Sequence, residues 1–343
     1  MLYRSKAPLR IGLAGGGSDV SPYSDIYGGA ILNATISLYA HANIQPLHEP
    51  RIILESLERG EYQEFDCLDE LPIDGTLDLL KGVYNRVRKD FLSAPRGFKL
   101  CTSVDVPAGS GLGTSSTLAV AILGAFIQWL RLPLGSYDIA QYAYSIERED
   151  LKMAGGKQDQ YAATFGGVNY MEFYNDNKVI VNPLRVDKTH LFELENNLIL
   201  YFTQTTHVSS DIIKEQQKNV TTNEAESVAS MHRIKAQAQE MKEALLIGKI
   251  NRIGEIFDEG HIHKKNMAKN ISNDYLDRIY EEAKRAGATG GRISGAGGGG
   301  FMLFYCPGNT KFQVLRALKQ FDGYAYPFRF VKEGIFSWSV NTK

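Results

Sequence analysis

The chain has 343 residues, 43% of them apolar and 22% charged, and its 38 Lys+Arg against 39 Asp+Glu leave a net charge of −1. That balance provides no basic field for a polyanion and excludes nucleic acid as the main partner. The longest apolar stretch, around 118–127, is too short to span a bilayer. The N-terminus reaches glycines before any leader-like apolar block, so neither a membrane partner nor export is expected.

A chain of this length exceeds one ordinary hydrophobic core and predicts two domains. Three scattered cysteines, Cys67, Cys101 and Cys306, form no CxxC pair and read as buried small hydrophobes in a reducing compartment, the cytoplasm. In chain order, 30–44 and 97–106 have the β-branched or alternating character of strands. Helices are predicted near 76–91, 115–130 and 136–151, and a hairpin over 166–184. In the second half, Thr221 and Glu224 have capping-box spacing ahead of a helix carrying Val228, Met231, Ile234, Ala238, Met241 and Leu245. More helix follows to about 286, then a strand at 301–305, a helix at 309–321 and a closing strand. The order implies an α+β pair of domains joined near 185–195, with bounds 1–188 and 189–343.

The segment "DVPAGSGLGTSS" (105–116) places glycines at 109, 111 and 113 before a helix that is apolar nearly all round and is therefore expected to be buried. It has no lysine, so it is not the loop GxxxxGK[ST]. Free N–H groups of a first helical turn, the helix dipole and close glycine backbone still make an anion site. A helix-start serine together with a carboxylate suits Mg²⁺. Glu147 is a candidate, four residues after Ala143 and seven after Ala140 on a face of small side chains.

Three further segments stand out. "APLRIGLAGGGSD" (7–19) sets a strand against Gly15–Gly17 and ends in an acid. "GGKQDQYAATFGG" (155–167) carries Asp159 between two glutamines. "GGRISGAGGGGF" (290–301) contains GxGxxG at Gly295, Gly297 and Gly300, but it precedes a strand, whereas a dinucleotide fingerprint follows one and opens a helix. His261 and His263, two apart on a helix, diverge and read as structural rather than as zinc ligands.

Taken in order, these segments resemble one family, the GHMP kinases. "PAGSGLGTSS" is similar to the family's phosphate loop, with Thr114 and Ser115 at its two serine positions. "APLRIGLAGGGSD" and "GRISGAGGGGF" stand where its first and third motifs lie, with Leu9 in place of a glycine and Arg292 where lysine is common. The finer resemblance is to the sugar-1-kinases, the branch acting on D-glycero-D-manno-heptose 7-phosphate and on L-fucose. It implies a domain like the second domain of ribosomal protein S5, with a left-handed βαβ crossover, followed by a ferredoxin-like domain, with the site in the cleft between them. It also implies transfer of the γ-phosphate of ATP to the anomeric hydroxyl of a sugar, heptose 7-phosphate being favoured because 343 residues leave no room for the pyrophosphorylase fused to bifunctional fucokinases.

On that resemblance the ATP phosphates rest on Pro107, Gly109, Ser110, Gly111, Leu112, Gly113, Thr114, Ser115 and Ser116, and Mg²⁺ on Ser115 and Glu147. Asp159 is the catalytic acid–base group, orienting the hydroxyl and taking its proton late, and Arg10 is the basic residue beside it. Asp19, Gly16, Gly17 and Gly297 are expected to face the sugar, with Lys157, His207 and Arg292 as candidates to receive its phosphate. A stand-alone L-fucokinase and a mevalonate-type alcohol kinase are the alternatives. A non-catalytic sugar- or nucleotide-sensing module would have no need of Arg10, Ser115, Glu147 and Asp159 together.

Overall fold

In the computed structural model, residues 1–205 and 209–341 are described, Ser209 by its backbone alone; the expected substrate residue His207 lies outside them. The first sheet begins with β1 (Leu2–Ala14), followed by the short helix α1 (Tyr23–Tyr27) and the long β2 (Gly29–Pro46). β3 (Arg51–Ser56) and β4 (Glu61–Asp66) form a hairpin, and α2 (Asp78–Phe91) leads to β5 (Phe98–Val104), which lies parallel to β3. Helices α3 (Thr114–Leu130), α4 (Ser136–Ser145) and α5 (Gln158–Phe165) follow, then the hairpin β6 (Val168–Phe173) and β7 (Val179–Pro183). The long strand is shared: its first half pairs with β6 and its second half with β5, while β1 runs along its other edge.

The second unit opens with α6 (Lys188–Asn197) and β8 (Leu198–Phe202), then α7 (Ser209–Thr221), α8 (Ala225–Leu246), α9 (Arg252–Lys265) and α10 (Asp274–Arg285). Strands β9 (Gly290–Ile293), β10 (Phe301–Tyr305) and β11 (Tyr324–Tyr326), with α11 (Lys311–Ala317), complete a four-stranded antiparallel sheet ordered β11-β8-β10-β9. Its inner strands LILYF and FMLFY are apolar at every position because both sheet faces are covered. Leu198, Leu200, Phe202, Phe301 and Leu303 pack toward the first domain, while Ile199, Tyr201, Met302 and Phe304 pack under α10. β12 (Phe336–Val340) returns to pair with β1, so the end of the segment expected as 189–343 lies in the first sheet.

One apolar cluster crosses between the units, joining Leu9, Ile11 and Leu13 of β1 to β8, β10 and to Met241 and Leu245 of α8. The walls of the cleft above it are therefore set by shared packing. α3 is buried continuously from Ser116 to Phe126, between the first sheet and α2, α4 and α5.

Two sequence expectations need correction. Thr221 does not open α8: it ends α7, its hydroxyl bonded to the Gln217 carbonyl at 2.9 Å. Asn223, at φ +52°, turns the chain, and Glu224 itself caps α8 through the Ser227 N–H at 2.6 Å. The helix expected over 136–151 is α-helical only to Ser145; residues Ile146–Asp150 form a π-turn.

Candidate active site

The phosphate-loop candidate is built from alternating left-handed glycines, with φ +71° at Gly109, +83° at Gly111 and +76° at Gly113. Gly113 is the N-cap of α3, and no side chain caps that helix, so its first-turn N–H groups are left for a ligand. There is no room for larger residues. A Cβ at Gly111 would lie 2.8 Å from the Ser294 carbonyl oxygen, and one at Gly113 would lie 2.9 Å from the Asp159 carboxyl carbon. Ser110 and Leu112 are buried and serve through backbone, their carbonyls accepting from the N–H groups of Phe301 (3.0 Å) and Arg10 (3.4 Å). Pro107 precedes the turn and does not line the cleft.

Arg10, on β1 and 3% exposed, joins three segments far apart in sequence. Its Nε donates to Asp159 Oδ1 at 2.6 Å, and its Nη1 donates to the Gly111 carbonyl at 2.8 Å. The segment 155–167 thus meets the phosphate loop through the first motif. Asp159, in the first turn of α5, keeps Oδ2 for the cleft.

Asp19 follows the Gly15–Gly17 turn and is buried, its Oδ2 accepting from the backbone N–H of Lys157 (2.8 Å) and Gln158 (3.0 Å). Gly156 is required beside it: a Cβ there would fall 1.9 Å from Asp19 Oδ2. Burial, and then the neighbouring Asp159 carboxylate, raise the Asp19 pKa above the ordinary carboxylate value against the pull of those N–H bonds.

Glu147 sits in the π-turn, 1% exposed. Ser115 Oγ donates to its Oε1 at 2.9 Å, and Gln160 Nε2 donates to its Oε2 at 2.5 Å and to Ser116 Oγ at 3.0 Å. Glu147 thus faces the start of α3 from a π-turn, a form often found at functional sites. Among the described residues no group of three or more His, Cys, Asp and Glu is placed to hold a metal by itself. His261 is buried and stacked on Tyr280 at 3.9 Å, as expected of a structural histidine, and burial lowers its pKa to about 4.

Gly16, Gly17, Thr114 and Ser116 line the cleft, but three expected substrate residues do not. Lys157 is buried and turned to α1, its Nζ paired with Asp25 at 2.8 Å. The Arg292 guanidinium is held by the Leu13 carbonyl at 2.8 Å, and burial lowers its pKa to about 10. Gly297 packs on Ile271, and a Cβ placed on it would fall 2.8 Å from the Ile271 carbonyl oxygen. Chain proximity to a motif did not say which way these residues face.

Sequence reasoning missed two features. Arg148 and Lys264 line the cleft, Arg148 bracing the loop at Gly156 through Nη2 at 3.2 Å. A second cavity of about 340 Å³ adjoins the first at Gly109, Thr114, Ser115 and Met153, walled by Ile73, Leu77, Val104, Val106, Leu118 and Leu151. It is largely apolar, with Ser56, Glu58, Arg59 and Asp78 also in its wall, and it opens on the phosphate loop, features that suit a nucleobase. Its lining comes from five separate segments, so no local motif announces it.

A glycine cradle at a helix start, a base-sized slot beside it and an Arg-held carboxylate opposite define a nucleotide-dependent phosphotransferase. Two family descriptions match, GHMP kinases N terminal domain over residues 78–167 and GHMP kinases C terminal over 241–323. The chain belongs to the GHMP kinases, ATP-dependent enzymes. It is 48% identical over 337 residues to the D-glycero-alpha-D-manno-heptose 7-phosphate kinase of Campylobacter jejuni, covering 98% of this chain and 99% of that one. A solved D-glycero-D-manno-heptose 1-phosphate kinase from Bacteroides thetaiotaomicron superposes with a TM-score of 0.84, at 45% identity, over 99% of this chain and 100% of that one. The L-fucokinase/L-fucose-1-P guanylyltransferase of Bacteroides fragilis is 27% identical over 87% of this chain but only 34% of its own length. A solved mevalonate kinase, at 21% identity and TM-score 0.75, shares the fold.

Proposed function

We propose that the enzyme transfers the γ-phosphoryl of ATP to the anomeric hydroxyl of D-glycero-D-manno-heptose 7-phosphate, giving the 1,7-bisphosphate. The observation that carries this reading is the Arg10–Asp159 pair at 2.6 Å set against Gly113. It puts an acceptor-orienting carboxylate beside the loop that would hold the phosphates, and whole-chain identity to a heptose 7-phosphate kinase supplies the sugar. The adenine would enter the apolar cavity, and the loop N–H groups would hold the phosphates.

Arg10 fixes Oδ1 of Asp159, leaving Oδ2 to accept the hydrogen bond of the sugar O1–H. As O1 bonds to phosphorus and the bridging oxygen of the β-phosphate departs, the proton passes to Oδ2. Such transfer is mainly positioning and charge stabilisation. Asp19, anchored by two backbone N–H groups, would read sugar hydroxyls. Ser115 and Glu147 fit a magnesium ion, since a hydroxyl and a buried carboxylate, both hard oxygen donors, meet there at 2.9 Å. A magnesium bound there would supply positive charge that a lysine-free loop lacks. Among the described residues no helix is long and apolar enough to cross a membrane.

The test is ADP release with Mg·ATP and heptose 7-phosphate, heptose 1-phosphate, L-fucose or mevalonate, with phosphorus NMR of the product. A new anomeric phosphate on the 7-phosphate, and little turnover of the others, is expected. Preferred turnover of L-fucose would overturn the substrate, and phosphorylation of the 1-phosphate would overturn the position.

A further inference from the structure

The last turn of α9 carries Lys264, a lysine 4% exposed that nevertheless lines the cleft between Gly16–Gly17 and Gly295–Ala296. Two of its three N–H donors are spent on backbone: Nζ donates to the Ile293 carbonyl at 3.1 Å and, closely, to that of Gly295. Among the described residues no carboxylate pairs with it. None pairs with Arg292, which acts on Lys264 electrostatically together with Arg10. Around Gly295, then, three cations (Arg10, Lys264 and Arg292) face two carboxylates, Asp159, already engaged by Arg10, and the buried Asp19.

An unpaired buried charge is among the most costly features a fold can carry. Burial and the two arginines accordingly push the Lys264 pKa well below its ordinary value, with Asp19 opposing them. A tether for the Ile293–Gly295 loop would need only neutral donors. What needs the charge is an anion arriving in the cleft. Gly295 rests directly on Gly111, the Gly295 Cβ position lying 2.7 Å from the Gly111 Cα, so the lysine stands behind the meeting point of the phosphate loop and the third motif.

We propose that Lys264 is an anion-binding residue whose third donor takes a phosphoryl oxygen, and that the ligand restores the charge balance of this pocket. The inference rests on the kinase reading above. The phosphoryl group can come from two sources, the γ-phosphate in transfer or the phosphate already on the sugar, and the same experiment separates them. Two neutral variants are compared with wild type. Lys264→Met removes charge and donors, whereas Lys264→Gln keeps donors for the loop carbonyls and removes only the charge.

Calorimetric Kd for ATP, and kcat and KM for the phosphorylated sugar, are measured after wild-type turnover of that sugar has been established. Failure of that first step would overturn the substrate reading and not Lys264, whose ATP arm is then read with whichever acceptor turns over. A hydrogen bond from a charged donor to phosphate corresponds to about 10- to 100-fold. If the sugar's own phosphate is bound, both variants raise the sugar KM by that factor with ATP Kd unchanged. If the γ-phosphoryl is bound, both lower kcat or weaken ATP by that factor and leave the sugar KM alone. Recovery of all constants to within twofold of wild type by Lys264→Gln would show a neutral tether and overturn the proposal. So would wild-type constants in the folded fraction of Lys264→Met.

Discussion

Replacing Gly113 with alanine tests the central geometry most sharply. Gly113 holds φ +76°, where an L side chain costs about 1–2 kcal/mol, and its added Cβ would sit 2.9 Å from Asp159 Cγ and 3.1 Å from Oδ2. Asp159 cannot simply withdraw, because Oδ1 is held by Arg10 at 2.6 Å, and Arg10 is itself held by Gly111. The carboxylate must therefore shift by several tenths of an ångström or give up a charge-assisted bond. Misplacement on the scale of an ångström costs about 100-fold in rate. Gly308→Ala is a matched control: its φ is +60°, so it carries a similar backbone penalty, but nothing lies within 4 Å of its Cβ position. Urea unfolding and coupled ADP-release assays on both variants should show similar losses of stability. Only Gly113→Ala should lose kcat, by about 100-fold. If Gly113→Ala keeps kcat within about threefold of Gly308→Ala, Asp159 does not work from the position described.

Three further outcomes are expected from the same geometry. Asp159→Asn keeps the size of the side chain but cannot take the acceptor proton, so kcat should fall by about 10²–10⁴, with the calorimetric Kd for ATP within a few-fold of wild type; near-normal turnover would remove Asp159 from the reaction. Glu147→Gln leaves Ser115 and Gln160 as neighbours but removes the buried negative charge, so titration of activity with Mg²⁺ should show a weakened requirement curve, shifted to higher concentration. His261 has a folded pKa of about 4 against an ordinary 6.5, so its contribution to stability is present above 6.5 and is lost as pH falls toward 4, by up to about 3 kcal/mol. His261→Phe, which can still stack on Tyr280, should flatten the denaturation midpoint across that window, and an unchanged acid loss would place the sensitivity elsewhere.

The features legible in the sequence were local or carried by spacing along one segment. Alternating glycines before an apolar helix specify a left-handed loop and a buried helix start, and periodicity placed α2, α3, β2, β5 and β10 but not the inner strands β3 and β8. Motif order pointed to Arg10, Asp19, Ser115, Glu147 and Asp159, which the fold gathers into one cleft. The direction of a side chain is decided by its packing partners, and those come from distant parts of the chain. Lys157 lies two residues from Asp159 yet is drawn to Asp25 on α1, while Lys264, given no role by the sequence, is brought to the cleft by the packing of α9 on β9. Glu147 meets Ser115 from a π-turn where an α-helical one was expected, and the largely apolar slot beside the phosphate loop exists only where five separated segments meet. Local backbone conformation is set by nearby residues, because glycine permissiveness and hydrophobic period act over one or two turns. Charge balance and cavity shape depend on contacts between residues up to hundreds of positions apart, and these arise only when distant segments, some within the first domain and some from both, pack together.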